Sequence, residues 1–195
     1  LLAELVEEYR DIFRIYLLND PPAVRPWVVH AVPGAIPVRC GTRVYTPLKR
    51  EFMKRFTEEL ETAGMIKRNN ASRWASSPHP VAKPGKEGEF RLTIDYKAAN
   101  MKLQATAYPS PVLETLIQMI GLSCFFATLD LFKGFWQFPL DEASQEFFSF
   151  QTPHGVFTPN RVMQGSTTGT SACQAGLEEI LGNLLWNGVL AYVDD

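Results

Sequence analysis

The sequence contains few cysteines and no long apolar run, and each of these features excludes a class of protein. No stretch of about 18 uncharged apolar residues occurs, so we do not expect a helix that spans a membrane. Three cysteines, Cys40, Cys124 and Cys173, stand far apart in a chain of 195 residues. This odd and scattered set fits neither a disulfide framework nor a zinc site, and it favours reduced thiols in an intracellular protein.

The N-terminus lacks the features of an exported protein. The chain starts with Leu1 rather than methionine, and Glu4, Glu7 and Glu8 stand where a signal peptide needs basic residues. We therefore expect a protein that is not secreted, and a chain that is a piece of something longer. Apolar residues make up 46% of it, which is enough to bury a core and to exclude global disorder.

Positive charge is scarce in the second half of the chain. Residues 103–195 carry two Lys or Arg against nine Asp or Glu, whereas residues 39–102 carry fourteen against seven. A basic region beside an acidic one suits a protein that holds a polyanion while its carboxylates coordinate metal ions. An unevenly charged, solvated surface explains the same counts, so charge alone leaves both interpretations open.

Two apolar segments end on carboxylates. Cys124–Leu129 is followed by Asp130, and Val189–Val193 is followed by Asp194 and Asp195. A carboxylate at the end of a buried strand is costly unless it is paired, protonated or bound to a cation. If the two strands pair, the three aspartates form a site for hard divalent ions, and a pair of such ions suits nucleotidyl transfer. The alternative is three ordinary capping or surface aspartates.

The remaining patterns predict an α+β fold. Alternation and turn residues predict strands around residues 80–82, 90–95, 124–129, 138–140, 146–151, 156–162 and 189–193. Apolar periodicity and capping residues predict helices over residues 1–18, 47–64, 110–120 and 168–186, with a proline-rich extended arm at 19–47. The helix after Thr46 should bury a stripe formed by Leu48, Phe52, Phe56 and Leu60. From Cys124 onward the order is strand, strand pair, helix, strand, a ferredoxin-like layout that would bring Asp130 next to Asp194.

A series of short segments carries a more specific signal. In order along residues 21–195 these are Pro21-Pro22 with His30-Ala-Val-Pro-Gly-Ala-Ile-Pro-Val38, Arg43-Val-Tyr-Thr-Pro47, Trp74-Ala-Ser-Ser-Pro78, Phe90-Arg-Leu-Thr-Ile-Asp-Tyr-Lys-Ala-Ala-Asn100, Tyr108-Pro109, Leu129-Asp-Leu-Phe-Lys-Gly-Phe-Trp-Gln137, Val162-Met-Gln-Gly165 and Tyr192-Val-Asp-Asp195. The chain thereby resembles the fingers and palm of reverse transcriptases from gypsy-type LTR retrotransposon polyproteins.

The resemblance implies a domain organisation and an activity. Residues 1–46 would be an N-terminal helix and extended arm, residues 47–123 the fingers with the first palm helix, and residues 124–195 a palm that is incomplete at its C-terminus. The activity would be RNA-directed DNA polymerisation in a cytoplasmic particle or the nucleus of a host cell. The partners would be RNA and DNA template and primer, deoxynucleoside triphosphates, and the thumb and RNase H segments of the parent polyprotein, with no membrane.

The resemblance also implies a metal site. Asp130, Asp194 and Asp195 match the catalytic carboxylates, which would hold two Mg²⁺ ions, or Mn²⁺ in their place, together with the backbone carbonyl of Leu131. Such ions activate the primer 3′-hydroxyl and stabilise the leaving pyrophosphate.

Other positions match the family's substrate-binding residues. Phe135 would be the aromatic gate that excludes a ribose 2′-hydroxyl, and Arg91 would contact the triphosphate. The nucleotide site would also include Lys83 or Lys86 and the pair Gln164 and Gly165. The template or primer would lie near Asn100, Asp95, Tyr192 and Val193.

Two departures from the family pattern affect these expectations. Met163 stands where the family usually has proline, and this change predicts a looser wall of the nucleotide pocket. The second departure is that the sequence stops on Asp195. We therefore expect no polymerase activity from these residues alone. The alternative function is a truncated, inactive remnant of a retroelement that at most binds nucleic acid.

Overall fold

The computed structural model describes residues 2–13, 16, 19–86, 88–121 and 123–193, and it confirms the α+β class. The α-helices are α1 (Leu2–Glu8), α2 (Pro47–Thr62), α3 (Lys97–Asn100), α4 (Leu113–Ile120), α5 (Glu142–Gln145) and α6 (Gly169–Leu181). The strands are β1 (Ile66–Arg68), β2 (Ser77–Ala82), β3 (Phe90–Asp95), β4 (Phe150–Thr152) and β5 (Gly155–Pro159). Three 3₁₀ turns lie at Gly134–Gln137, Glu146–Phe148 and Gly182–Leu184.

The strands form two antiparallel sheets. One has the order β1-β5-β4, and the other is the β2-β3 hairpin. Phe150 of β4 lies opposite Phe157 of β5, with ring centroids 5.9 Å apart, and both side chains are fully buried. The two predicted hairpins are therefore confirmed, although Glu146–Phe148, expected to begin a strand, is a 3₁₀ turn instead.

Helix α2 begins and ends where the sequence predicts. Its first residue is Pro47, and after its end Gly64 adopts a φ of 68°. The Met65 N–H donates to the Leu60 carbonyl at 2.8 Å, and the Gly64 N–H donates to the Glu61 carbonyl at 3.0 Å. This is a Schellman C-terminus, in which a left-handed glycine lets the last carbonyls find donors.

The predicted stripe of α2 is confirmed at its end and wrong at its start, because Leu60 is buried and Phe52 and Phe56 are half-buried. Met53, Thr57 and Leu60 are the buried residues, whereas Leu48 is 67% exposed. A strict four-residue step advances about 400° around a helix of 3.6 residues per turn, so the stripe drifts by about 40° per step. Its first residue has therefore rotated away from the core.

The proline-rich arm is extended, as predicted, and it packs against the folded core. The Val29 side chain is buried, and its N–H donates to Ser144 Oγ at 2.8 Å. Backbone bridges join Trp27 to Leu140 and Arg39 to Ala75. The predicted helix before the arm is shorter than expected, because only Leu2–Glu8 is helical in the described part of residues 1–18.

Three predicted strands are not formed. Residues 138–140 make two isolated bridges to other described residues, Leu140 to Trp27 and Pro139 to Arg161, instead of a strand. Cys124–Leu129 has no regular secondary structure, and Phe125 is 94% exposed. Val189 makes one bridge to Leu185, and no strand follows it in the described residues. A strand needs a neighbour for its N–H and carbonyl groups, and the last two of these segments do not pair with each other.

Two helix bounds also differ from the prediction. Helix α4 starts at Leu113, two residues beyond Pro111, with Val112 as its N-cap. Helix α6 ends at Leu181 and passes into a 3₁₀ turn, well before Trp186. The Val112 side chain forms no capping hydrogen bond at the start of α4, and the C-cap of α6 is Gly182, which adopts a φ of 48°.

The core lies between the two sheets, α2 and α6. Tyr96 is 1% exposed, its ring meets that of Phe148 edge-on, and its hydroxyl donates to the Phe148 carbonyl at 2.8 Å. Burial raises the pKa of Tyr96 well above its ordinary value, so the phenol stays neutral. Across the described ranges, no helix is long and apolar enough to cross a bilayer.

Candidate active site

Asp130 lies at the end of the irregular segment that follows α4. Its side chain is exposed, and among the described residues none forms a hydrogen bond or an ion pair with it. Asp194 and Asp195 lie outside the described residues. The part of the chain that the structure describes holds no group of three or more His, Cys, Asp or Glu side chains suited to a metal ion. The convergence of the three aspartates therefore stays a prediction.

Phe135 is fixed against the start of α6. It lies in the turn Gly134–Gln137 and is half-buried. A methyl group on Gly169 would lie 3.3 Å from Phe135 Cε1, 3.0 Å from the Met163 carbonyl oxygen and 2.7 Å from Ser166 Oγ. Because Gly169 has no side chain, the Met163 carbonyl, the Ser166 hydroxyl and the Phe135 ring can all lie close to its Cα atom.

Lys133, directly before the turn that carries Phe135, contacts α2. Lys133 has a φ of 50°, and its Nζ lies 3.6 Å from Glu59 Oε1 of α2. The same ammonium group lies 5.4 Å from the ring centroid of Phe56 and 5.5 Å from that of Phe132. Gln137 Nε2 donates to the Phe132 carbonyl at 2.8 Å. The turn is therefore attached to α2 as well as to α6.

The Gln164-Gly165 pair forms a tight turn that Asn100 holds in place. Gly165 has a φ of 91°, which favours glycine. Asn100 Nδ2 donates to the Gly165 carbonyl at 2.9 Å, and Asn100 Oδ1 accepts from the Thr167 N–H at 3.1 Å. The Gln164 side chain is exposed. One carboxamide thus links α3 to the turn that leads into α6.

The β2-β3 hairpin carries the predicted triphosphate residues. Lys83 Nζ lies 3.0 Å from Glu89 Oε2, and Lys86 Nζ lies 3.9 Å from the same oxygen. The hydrogen bond from Lys83, followed by the charges of Lys83 and Lys86, lowers the pKa of Glu89. Arg91 is exposed, and no described residue pairs with its guanidinium group. Arg91 is therefore a cation on this hairpin that is available to a ligand.

Asp95 is engaged in contacts within the chain. Arg43 Nη2 lies 2.9 Å from Asp95 Oδ2, and the Lys97 N–H donates to Asp95 Oδ1 at 3.3 Å. Both side chains of the ion pair are about half exposed. The nearby Tyr45 hydroxyl donates to the Pro78 carbonyl at 2.8 Å. These contacts give the segments Arg43–Pro47 and Trp74–Pro78 a structural role in joining the arm to the hairpin.

Tyr192 and Val193 approach α6, where sequence reasoning did not anticipate a contact. Gln174 of α6 is 1% exposed, and its Oε1 accepts from the Val193 N–H at 3.1 Å. Its Nε2 donates to the Ala191 carbonyl at 3.4 Å. The Tyr192 side chain is 43% exposed. The signal in the sequence was a glutamine on the apolar side of a predicted helix, because a buried carboxamide requires partners.

Retroelement polyproteins and a viral enzyme are among the known proteins that are similar to this chain. Residues 81–195 match the family model for reverse transcriptase (RNA-dependent DNA polymerase). The chain belongs to the reverse transcriptase family. It is 31% identical over 107 residues to the retrovirus-related Pol polyprotein from transposon 412 of Drosophila melanogaster. The aligned residues make up 55% of this chain and 9% of that polyprotein.

Two further similarities are consistent with this membership. The chain is 31% identical over 112 residues to the transposon Tf2-3 polyprotein of Schizosaccharomyces pombe. These residues make up 57% of this chain and 8% of that polyprotein. The foamy viral protease-reverse transcriptase in complex with an RNA/DNA hybrid has the same fold, with a TM-score of 0.78 at 19% identity, over 99% of this chain and 25% of that chain. This chain thus spans about a tenth of the transposon polyproteins.

In this member of the reverse transcriptase family, the structure brings together some predicted site residues and not others. Phe135, the Gln164-Gly165 turn and Asn100 meet around the start of α6. The hairpin cations make no hydrogen bond or ion pair with that group among the described residues. The Leu131 carbonyl, predicted to ligate a metal, accepts from the Gly134 N–H at 3.0 Å. A carbonyl oxygen has two lone pairs, so one acceptor site on it stays open.

Proposed function

We propose that this chain is part of an RNA-directed DNA polymerase that adds deoxynucleotides to a primer 3′-hydroxyl. The observation that carries the proposal is the position of Phe135, which is packed against Gly169 beside the turn that Asn100 holds. A rigid aromatic ring five residues after an exposed carboxylate, Asp130, suits a nucleotide site that rejects a 2′-hydroxyl by steric exclusion.

The proposed catalytic group is Asp130 with Asp194 and Asp195, which would hold divalent cations together with the Leu131 carbonyl. The chemistry of this donor set fits Mg²⁺, because all of its members are hard oxygen ligands and Asp130 is exposed and unpaired among the described residues. Cations bound there would neutralise the negative charge that develops on the attacking and leaving oxygens.

The hairpin supplies the proposed grip on the triphosphate. Arg91 has a planar donor fork that matches phosphate oxygens, and its guanidinium is available. Between the two lysines we favour Lys86, which is 62% exposed and lies farther from Glu89 than Lys83 does. Lys83 instead keeps Glu89 in place at the base of the turn.

The proposed template and primer surface includes the basic region of residues 39–102. The foamy viral structure in complex with an RNA/DNA hybrid supports nucleic acid as the partner, and the excess of Lys and Arg over Asp and Glu supports the choice of this region. Asn100 would act through the Gly165–Thr167 backbone, because both ends of its carboxamide are occupied there. Asp95 would likewise act by holding Arg43 rather than by direct contact with a strand.

Primer extension on poly(rA)/oligo(dT) with Mg²⁺ tests the proposal. The assay uses a chain extended past Asp195 by its natural downstream sequence. We expect extension by this chain and a loss of about 100-fold or more in Asp130→Asn, since a charged group that acts in the transition state is removed. Asp11→Asn, a matched change at an exposed position in the N-terminal region, should leave the rate unchanged.

Equal extension by the Asp130→Asn and unsubstituted chains would contradict the proposal. The same assay on the 195-residue chain tests whether the downstream thumb and RNase H segments are needed. We expect no extension from it, and efficient extension would show that these segments are dispensable.

A further inference from the structure

A single buried carboxamide holds the backbone that precedes Asp194. Gln174 accepts from the Val193 N–H at 3.1 Å through Oε1 and donates to the Ala191 carbonyl at 3.4 Å through Nε2. These are the donor and acceptor that a neighbouring strand would otherwise satisfy on this side of the segment. In the described residues, a helix side chain thus takes the place of a strand neighbour.

The conformation of the held segment is uncommon. Val193 has a φ of 63°, a value that β-branched residues rarely adopt and that persists only where surrounding contacts impose it. Its N–H is the group that Gln174 accepts, and the Val193 side chain packs on the buried cluster to which Ala191 belongs. The contact therefore fixes the chain direction one residue before Asp194.

The orientation of the Gln174 carboxamide is itself fixed by a second pair of contacts. Gln174 Nε2 donates to Glu178 Oε1 at 3.0 Å, one helical turn farther along α6. Glu178 Oε2 accepts from the Tyr108 hydroxyl. The Tyr108 ring in turn meets Trp27 edge-on, with centroids 6.2 Å apart. A carboxylate on the nitrogen side of the amide excludes the flipped orientation, in which Oε1 would face Glu178.

These contacts form one connected path from the arm to the segment that ends in aspartates. Tyr108 has a pKa raised to about 12 by burial, by its hydrogen bond to Glu178 and by the charge of Glu178. The phenol therefore remains a donor at every physiological pH, and the path is intact throughout that range.

We propose that Gln174 is a positioning residue that sets the backbone of Ala191–Val193 and so directs Asp194 and Asp195, with Glu178 and Tyr108 fixing its orientation. The role in catalysis rests on the proposed polymerase function. The effect on the segment's backbone does not, and the two parts can be tested separately.

Amide hydrogen exchange in the 195-residue chain tests the structural part. In Gln174→Met, which keeps the side-chain length but removes both hydrogen bonds, we expect exchange at Val193 to accelerate about fivefold or more. The Ala75 amide, which donates to the Val38 carbonyl at 2.9 Å far from α6, serves as the control and should not change.

Two further variants keep the test decisive if Gln174→Met loses protection everywhere. Tyr108→Phe removes the hydroxyl at the other end of the path and should accelerate exchange at Val193 by a smaller factor than Gln174→Met. Gln174→Glu combined with Glu178→Gln exchanges the two groups, keeps an acceptor for Val193 and should restore part of its protection. Unchanged exchange at Val193 in Tyr108→Phe and in a folded Gln174→Met would overturn the proposal.

The catalytic part is tested in the longer chain used for primer extension. Gln174→Met should lower kcat by about tenfold or more while KM for the deoxynucleotide stays within about twofold, because misplaced aspartates affect the reacting geometry rather than nucleotide binding. An unchanged kcat would overturn the positioning role. If the unsubstituted longer chain does not extend primers, the proposed function fails, while the exchange result stands.

Discussion

Two apolar regions of this chain differ in burial: one lies in the core and the other is exposed to solvent. Phe157, in the β1-β5-β4 sheet, is 1% exposed, whereas Phe125, in the segment before Asp130, is 94% exposed. Both lie in apolar stretches that predict strands. The difference is that β5 has a partner on each side, and residues 124–129 have none in the described structure. Apolar patterning indicates a tendency to be buried, and a neighbour decides whether burial occurs.

The same difference in packing separates the residues of the proposed site. The residues that shape the proposed nucleotide pocket, Phe135, Gly169 and Asn100, lie on the packed side and are fixed by short contacts. Asp130 follows the unpaired segment, and Val193 is held by one carboxamide. The residues of the proposed nucleotide pocket thus lie against the core, whereas Asp130, a proposed catalytic carboxylate, is exposed and follows a segment that has no strand partner in the described structure.

The largest expected effect is a difference between two phenylalanine truncations. Phe157→Ala should lower the free energy of unfolding by about 3–5 kcal/mol, because it opens a cavity in a fully packed sheet. Phe125→Ala should change it by no more than about 0.5 kcal/mol. Urea unfolding of the two variants measures both values. Equal losses would show that Phe125 is buried in solution and would remove the contrast.

A smaller effect is expected where the pocket meets α6. Gly169→Ala places a methyl group 3.0 Å from the Met163 carbonyl oxygen and 3.3 Å from Phe135. Because a backbone atom cannot move aside cheaply, we expect a loss of about 1–3 kcal/mol in the same unfolding experiment. Gly41→Ala is the control, since a methyl group there meets nothing within 4 Å. A harmless Gly169→Ala would mean that the turn carrying Phe135 is loosely held.

Much of the packed side was predictable, because its signals are local. Thr46-Pro47 and Gly64 delimit α2, and the turn residues between β2 and β3 mark the hairpin. Each of these depends on backbone constraints that a few adjacent residues impose. The buried face of α2 was predicted correctly at Leu60 and wrongly at Leu48, because the tertiary neighbours that select Met53 over Leu48 are distant in sequence.

The unpaired side and its contacts were not predictable in the same way. An apolar run such as Cys124–Leu129 has the same pattern whether or not a neighbour covers it. Likewise, the hydrogen bonds of Gln174 join residues 17 and 19 positions apart through the fold. Sequence spacing does not reveal which carboxamide will meet which backbone group.

The smallest expected effect is a shift in a titration. Glu178→Gln removes the charge beside Tyr108 and should bring the pKa of Tyr108 down from about 12 towards 10. A phenol whose pKa is higher in the folded state adds stability below pH 10, and this stability is lost as the pH rises from about 10 to about 12. In Glu178→Gln that loss should still begin near pH 10, but it should be smaller and complete at a lower pH.

Ultraviolet titration of phenolate, taken as the difference from Tyr108→Phe, isolates this one group among the tyrosines. An unshifted titration in Glu178→Gln would show that the carboxylate does not face Tyr108. The path from the arm to Gln174 would then be broken at its middle.

The central claim is that Phe135 selects deoxynucleotides at a polymerase site, and nucleotide discrimination tests it most directly. In the longer chain that extends primers, the ratio of ribonucleotide to deoxynucleotide incorporation is measured for the unsubstituted protein and for Phe135→Ala. We expect the ratio to rise by about tenfold or more in Phe135→Ala, because space for a 2′-hydroxyl is opened. A ratio that stays the same while deoxynucleotide incorporation continues would contradict the claim.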